Sequence, residues 1–213
     1  RRRPLYCAYG SIPWARMLQA LDTQGDEMEQ TWKKFEEWLA QHWPEGLSRL
    51  NPPATDEQIS ELERQLEIKL PLDFVACLKV HNGQDGFLSF FDGMEFLSCE
   101  EIYSQWAVWK ELLDAGEFKD TFSEPDKGIK NHWWSSKWIP FTHNGGGDHL
   151  CLDLDPSESG SIGQVITMWH DMEARELQAK TFGDYFQGYV AGVLSGQYVY
   201  AEEYGGLINA DDV

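Results

Sequence analysis

The spacing of the apolar residues changes along this chain, and the change restricts the folds open to it. In the first third, apolar residues recur every three or four positions, which is typical of amphipathic helices. Helices are predicted over residues 26–42, 55–70 and 71–80, the last beginning at Pro71. The stripe of the first predicted helix consists of Met28, Trp32, Phe35 and Leu39.

After Gly83 the pattern favours strands. Two further helices are predicted at 98–115 and 181–194, and residues 116–136 are predicted to form a long loop. Strands are predicted at 86–91, 94–97, 138–141, 148–155, 164–169, 176–180 and 197–204. In the strand at 148–155 three leucines alternate with His149, Cys151 and Asp153, which predicts one buried face.

Helices followed by an antiparallel meander and a last helix predict the α+β class. We expect one domain, with an antiparallel β-sheet flanked by helices, over residues 26–204. Residues 1–16 hold four arginines and no acid, so residues 1–25 are predicted to be a basic extension, either a linker or a tail. Residues 205–213 are predicted to be an acidic C-terminal tail.

The net charge of the chain limits the classes of molecule that it can bind. Lys and Arg number 17 against 36 Asp and Glu, a formal net charge of −19. Such a surface repels phosphate, so nucleic acid and anionic membranes are not expected partners. No apolar run approaches the roughly 18 residues of a membrane span. The four cysteines are far apart and form no C-x-x-C pair, which predicts free thiols and a cytoplasmic location.

Two stretches could carry chemistry. The loop 144–148 is glycine-rich, but it lacks the lysine of a phosphate-binding loop and leads into a strand, so a reversing turn is the preferred interpretation. His143, His149 and Cys151 could supply half of a zinc site. Since scattered histidines are more often polar surface or satisfied core groups, we predict no metal, no cofactor and no catalytic residue.

The acidic surface and the tryptophans suggest protein binding. An acidic face can steer a basic protein partner, although it can equally be a solvated face that keeps the protein soluble. Most of the ten tryptophans are expected in the core, and the pair beside the long loop is the one most expected at the surface. The predicted partner-binding residues are Asp148, Asp153, Asp155, Glu202, Glu203, Trp133 and Trp134.

Two groups of residues together resemble a known family. The first group is Ile59, Leu62, Glu63, Leu66, Ile68, Leu70, Pro71, Asp73, Phe74, Leu78, His81, Asn82 and Gly83. The second group is Trp138–Phe141, Gly146–Asp148, Leu152–Pro156, Gly163–Val165 and Thr181–Phe182. In order and spacing they resemble the SUKH superfamily, related to the fungal regulator of glucan synthesis and cell-wall assembly, over about residues 55–198.

The resemblance implies an α+β fold, non-enzymatic work and no shared catalytic residues. Bacterial members of the superfamily resemble immunity proteins, and fungal members resemble signalling scaffolds. The leading expectation is therefore a bacterial immunity protein that neutralises a cognate basic toxin, possibly a nuclease. The alternatives are a regulatory scaffold in cell-wall or stress signalling and, with least support, a small hydrolase using the loop 145–148. The oligomeric state is not predicted.

Overall fold

A computed structural model describes the backbone of residues 14–213 and the side chains from Gln24 onward. The helices are α1 (Trp14–His42), α2 (Pro44–Arg49), α3 (Asp56–Leu66), α4 (Leu72–Leu78), α5 (Cys99–Asp114) and α6 (Phe182–Ser195). The strands are β1 (Glu95–Phe96), β2 (Glu124–Pro125), β3 (Trp138–Pro140), β4 (Thr142–His143), β5 (His149–Asp153), β6 (Gln164–Met168), β7 (Ala174–Arg175), β8 (Leu177–Ala179), β9 (Tyr198–Ala201) and β10 (Gly206–Asn209). The predicted α+β class is confirmed.

Local capping explains where two helices begin. Thr55 and Gln58 form a capping box at the start of α3, and Ser98 and Glu101 form another at the start of α5. In each box a side-chain oxygen accepts from the N3 amide while the N3 side chain accepts from the cap amide, so two otherwise free N–H groups are satisfied. Both starts agree with the predicted helices.

Helix α1 begins at Trp14, well before the predicted start at residue 26. Residues 14–42 contain no proline. The single glycine, Gly25, costs only about 1 kcal/mol relative to alanine in a helix. Part of the predicted basic extension is therefore helical, and its residues 1–13, with Cys7, lie outside the described part of the chain.

The central sheet is antiparallel, with the strand order β3-β5-β6-β8. In its register Leu152 pairs with Val165 and with Ile139. All five residues of β5 are buried, so the prediction of a single buried face was wrong. The polar residues on the second face of β5 can be buried because His149 and Asp153 have hydrogen-bond partners inside the protein.

Smaller sheets surround this one. Strand β1 pairs with β4, and β2 pairs in parallel with β7, so the region predicted as a long loop contains a short strand. The predicted turn at Asp92-Gly93 is present, and both residues have positive φ, but residues 86–91 form only two isolated bridges, at Ser89 and Phe91, rather than a strand.

The C-terminal range differs most from its prediction. Residues 206–209, assigned to an acidic tail, form β10 and pair with β9. Leu207 in β10 is fully buried, and its amide donates to the Ser89 carbonyl at 2.7 Å. This strand packs against the core because two turn-forming glycines are followed by the apolar pair Leu207-Ile208.

Aromatic residues fill the interior, as predicted for most tryptophans. The buried tryptophans among the described side chains are Trp32, Trp43, Trp106, Trp109, Trp134 and Trp138. Around Trp32 and Phe35 of α1, rings from α6 and from residues 90–96 approach within about 6 Å. Among the described residues, no helix is long and apolar enough to cross a membrane.

Candidate functional site

The glycine-rich loop between β4 and β5 is closed by its own hydrogen bonds. Asn144 Oδ1 accepts from the amides of Gly146 and Asp148, and Asn144 Nδ2 donates to Asp148 Oδ2 at 2.7 Å. Gly145 and Gly147 adopt positive φ, which a glycine does without strain. The loop is therefore built as a reversing turn, as its sequence indicated.

Asp148 is joined to His170, which lies after β6. Its Oδ1 accepts from the His170 amide at 2.8 Å and lies 2.9 Å from His170 Nδ1. These hydrogen bonds outweigh burial and hold the pKa of Asp148 below its usual value, while the same carboxylate raises the pKa of His170. The two groups form an ion pair that ties the turn to the end of β6.

The same corner brings together three potential metal ligands. Single ligand atoms of Asp148, His170 and Asp171 lie within 4.8 Å of one another. Asp148 already uses both carboxylate oxygens in hydrogen bonds to Asn144 and His170. A cation would have to displace the His170 proton that binds Asp148, so this arrangement favours the ion pair over a metal centre.

His149 is the most constrained histidine of the region. Trp109 Nε1 donates to its Nε2 at 3.1 Å, so its Nδ1 carries the proton and donates to the Thr142 carbonyl at 2.7 Å. Neither nitrogen is available to a metal. His143, which the sequence grouped with it, instead contacts Glu95 at 3.1 Å. The half zinc site considered from the sequence is thus replaced by internal hydrogen bonds.

We expect His149 to stay neutral far into the acid range, because burial lowers its pKa to about 4. Nitrogen chemical shifts should show an Nδ1–H tautomer that titrates near pH 4, while His170 in the same spectra titrates above its ordinary value. Coincident titration of both residues near neutral pH would contradict this.

The same difference makes stability depend on pH. The unfolded imidazole binds a proton near pH 6.5 and the folded one only near pH 4, so acid favours the unfolded chain and this contribution is lost as the pH falls between those values. His149→Gln cannot bind that proton. Its deficit in free energy of unfolding relative to wild type should shrink by about 3 kcal/mol between pH 7 and pH 4, as measured by urea titration.

Asp153, one of the predicted partner-binding residues, is fully buried. Its carboxylate accepts from Gln164 Nε2 at 2.9 Å and from the Asp155 amide at 3.0 Å, and burial raises its pKa. Gln164 also donates to the Gly128 carbonyl. Gln164 therefore links Asp153 to the long loop, and the buried Asp153 carboxylate cannot contact a partner.

Trp134 was also expected at the surface and is buried instead. Its ring stacks on Trp109 of α5, with the centroids 6.3 Å apart. Trp133 is half-buried because the guanidinium of Arg175 lies 5.1 Å from its ring centroid. Arg175, which no sequence pattern singled out, also donates to the Trp133 carbonyl and so holds this residue in place.

Three of the predicted acids do lie at the surface. Asp155 is half-exposed at its side chain and forms an ion pair with Lys130 at 2.6 Å. Glu202 and Glu203 are exposed in a short 3-10 helix between β9 and β10, and neither has an ion-pair partner among the described residues. Of the acids predicted to bind a partner, these two are the freest to do so.

Comparison with known proteins gives a consistent set of relatives. The chain is 26% identical over 211 residues to a "Glucan synthesis regulatory protein" of Neurospora crassa, with 81% of this chain and 40% of that protein aligned. It is 21% identical over 209 residues to the "Cell wall assembly regulator SMI1" of Saccharomyces cerevisiae, covering 81% and 41%. It is 24% identical over 194 residues to the "Cell wall biosynthesis/cell cycle regulator smi1" of Schizosaccharomyces pombe, covering 83% and 38%.

These relatives correct one expectation and confirm another. The chain spans about two fifths of the length of each of the three. All three are fungal proteins named as regulators of glucan synthesis or the cell wall, so the prediction of a bacterial immunity protein was wrong. The model of the SMI1/KNR4 family (SUKH-1) matches residues 53–188, which is more than half of the chain. The chain therefore belongs to the SMI1/KNR4 family, and its predicted membership of the SUKH superfamily is confirmed.

Proposed function

We propose that this chain is a protein-binding module of a regulator of cell-wall glucan synthesis and that it works as a scaffold rather than an enzyme. The observation that carries the proposal is the match to relatives named as regulators of glucan synthesis and cell-wall assembly. We place the module in the cytoplasm. The three described cysteines are buried free thiols, which supports a reducing compartment.

The geometry supports binding over catalysis. Around the turn at residues 144–148, both oxygens of Asp148 and both nitrogens of His149 are held in internal hydrogen bonds. A general acid or base needs a free atom within hydrogen-bond reach of a substrate. These groups instead stabilise the end of the central sheet. Binding of another protein at the surface is therefore the function that the geometry favours.

We propose that the bound protein is basic. The net charge of −19 creates a field that attracts positively charged proteins and raises their association rates by about 10 to 1,000-fold at low salt. Glu202 and Glu203, exposed and without ion-pair partners among the described residues, are suited to this contact. This attraction is tested by measuring how the association rate with a candidate partner changes with salt concentration.

A chimera tests the cell-wall role. In Saccharomyces cerevisiae lacking its SMI1, the region of SMI1 that aligns with this chain is replaced by this chain, and the rest of the relative is kept. We expect the chimera to restore glucan content and growth on cell-wall-binding dyes. A chimera that accumulates to the normal level and restores neither would refute the proposed role.

The control chimera carries Trp138→Ala. Trp138 is fully buried in β3, and truncating a buried tryptophan costs about 3–5 kcal/mol. This variant should fail to complement because the domain no longer folds. Complementation by both chimeras would show that the grafted domain is not needed for the phenotype.

A further inference from the structure

Strand β9 is an open edge of the C-terminal hairpin. It pairs on one side with β10, in the register Leu207 with Tyr200 and Asn209 with Tyr198. Leu207 directs its own amide to the Ser89 carbonyl and its carbonyl to the Gly93 amide, both on the far side of β10. Leu207 and Tyr200 therefore form a non-hydrogen-bonded pair of the antiparallel ladder.

That register determines which backbone groups of β9 are free. In a non-hydrogen-bonded pair the N–H and C=O of both residues point away from each other. Tyr200, and Tyr198 two residues before it, therefore direct their N–H and C=O outward from β9. No hydrogen bond from the described residues reaches these four groups.

The two edge strands of the central sheet are blocked by their own chemistry. The outward amide of Leu177, on edge strand β8, is taken by Asp126 Oδ2 at 2.9 Å. At the opposite edge, β3 contains Pro140, which has no N–H to offer. Strand β9 has neither device, and natural proteins normally protect an edge that is not used for pairing.

The surroundings of β9 favour one kind of occupant. Residues 181–213 contain five acids and no lysine, arginine or histidine. Glu202 and Glu203 directly follow β9, and Tyr204 Oη donates to the Asp212 carbonyl at 3.1 Å, which holds the second acidic pair beside the same hairpin. A second copy of the chain would bring the same negative charge to the edge, so self-pairing is opposed.

An aromatic surface lies beside the open edge. The ring of Tyr200 stacks on Trp43 with centroids 5.3 Å apart and is 37% exposed. Tyr198 packs on Tyr189 of α6, with centroids 4.6 Å apart. These contacts hold β9 in place, so an added strand would find a preorganised edge, and aromatic rings make favourable cross-strand pairs.

We propose that β9 binds an extended, lysine- or arginine-containing segment of a partner protein as an added strand. The outward N–H and C=O groups of Tyr198 and Tyr200 supply the backbone hydrogen bonds, and the acids at 202–203 and 211–212 select a basic sequence. This inference rests on the proposed protein-binding function and specifies the surface and the partner chemistry.

The test uses the purified chain and a nine-residue peptide of alternating lysine and valine. On saturation, the amide protons of Tyr198 and Tyr200 should exchange with solvent at least tenfold more slowly, as resolved by NMR. The amides of Val199 and Ala201, already bonded to β10, should change little. Unchanged exchange at both tyrosines, or no binding at millimolar peptide, would overturn the proposal.

Two comparisons separate strand addition from simple charge attraction. The same peptide N-methylated at every residue keeps its charge but cannot donate backbone hydrogen bonds, and we expect its affinity to fall at least tenfold. Glu202→Gln with Glu203→Gln should weaken the unmodified peptide about tenfold. The matched control, Glu111→Gln with Glu117→Gln, removes two exposed acids of α5 and its flank and should change affinity less than twofold.

The outcomes distinguish this proposal from the cell-wall role. Equal binding of the two peptides would overturn strand addition at β9 and leave the chimera result unaffected. Failure of the chimera to restore glucan content would refute the role in the cell wall even if β9 binds the peptide.

Discussion

Replacing Arg175 with alanine should lower the free energy of unfolding by about 3–5 kcal/mol. The side chain is fully buried, and its guanidinium donates to the carbonyls of Met172, Ala174 and Trp133 at 2.7–2.8 Å. It also lies 5.1 Å and 5.9 Å from the ring centroids of Trp133 and Trp138. Alanine would leave three carbonyls without their donor and open a cavity between the two rings.

This arginine is unusual because no carboxylate among the described residues pairs with it. Burial lowers its pKa to about 10, so it remains charged at neutral pH. Its charge is offset by carbonyl dipoles and aromatic faces. The side chain thus joins the loop before β3 to β7, and we assign it a structural role.

Urea denaturation of Arg175→Ala and Arg175→Met measures the effect. Methionine keeps most of the volume and donates nothing, so its loss of about 2–3 kcal/mol reports the three carbonyl hydrogen bonds. The further loss of free energy of unfolding in Arg175→Ala reports the cost of the cavity. If the free energies of unfolding of both variants lie within about 1 kcal/mol of the wild-type value, the hydrogen bonds described for Arg175 are contradicted.

Replacing Gly83 with alanine should cost about 4 kcal/mol, because two penalties coincide there. Gly83 has φ +71°, a conformation that L-residues rarely adopt. A Cβ at this position would lie 2.3 Å from the Ser98 amide nitrogen and 2.5 Å from the Leu97 carbonyl carbon. Both atoms belong to the backbone at the start of α5, so neither can move without disturbing that helix.

Gly86→Ala is the matched control. Gly86 has φ +79°, and a Cβ there would meet nothing within 4 Å. This substitution should lower the free energy of unfolding only by the conformational penalty, about 1 kcal/mol. Thermal unfolding of the two variants isolates the steric contribution as their difference. Equal melting temperatures would mean that the loop after α4 does not pass against the start of α5 as described.

Features that depend on neighbouring residues could be predicted from the sequence. The capping boxes at Thr55 and Ser98 are encoded within four residues, and the helices they begin were placed correctly. The strands around 138–141 and 164–169 were placed from short apolar runs, and they form β3 and β6. The antiparallel pairing of both strands with β5 followed from the order of the predicted elements.

Features that depend on distant residues could not be predicted. Asp153 is buried because Gln164, on the adjacent strand, satisfies its carboxylate. Trp134 is buried because α5 supplies a ring to stack on. Asp148 meets His170 across 22 residues. An acid or an aromatic residue in isolation has the same pattern whether it lies in the core or at the surface.

The same limit applies to the candidate binding surface. Glu202 and Glu203 could be selected from the sequence as acids, and they are exposed. That β9 is an open edge follows only from the direction of the Leu207 amide and carbonyl toward Ser89 and Gly93. Hydrogen bonds between residues more than a hundred positions apart leave no local signal.

The contact between Ser89 and Leu207 also has a consequence for biosynthesis. Ser89 Oγ donates to the Leu207 carbonyl at 2.6 Å across 118 residues. While the chain is being translated, Ser89 emerges from the ribosome long before β10 exists to pair with it. At about 5–20 residues per second, this segment waits on the order of ten seconds for its hydrogen-bond partners in β10. During that interval chaperones have access to the nascent domain.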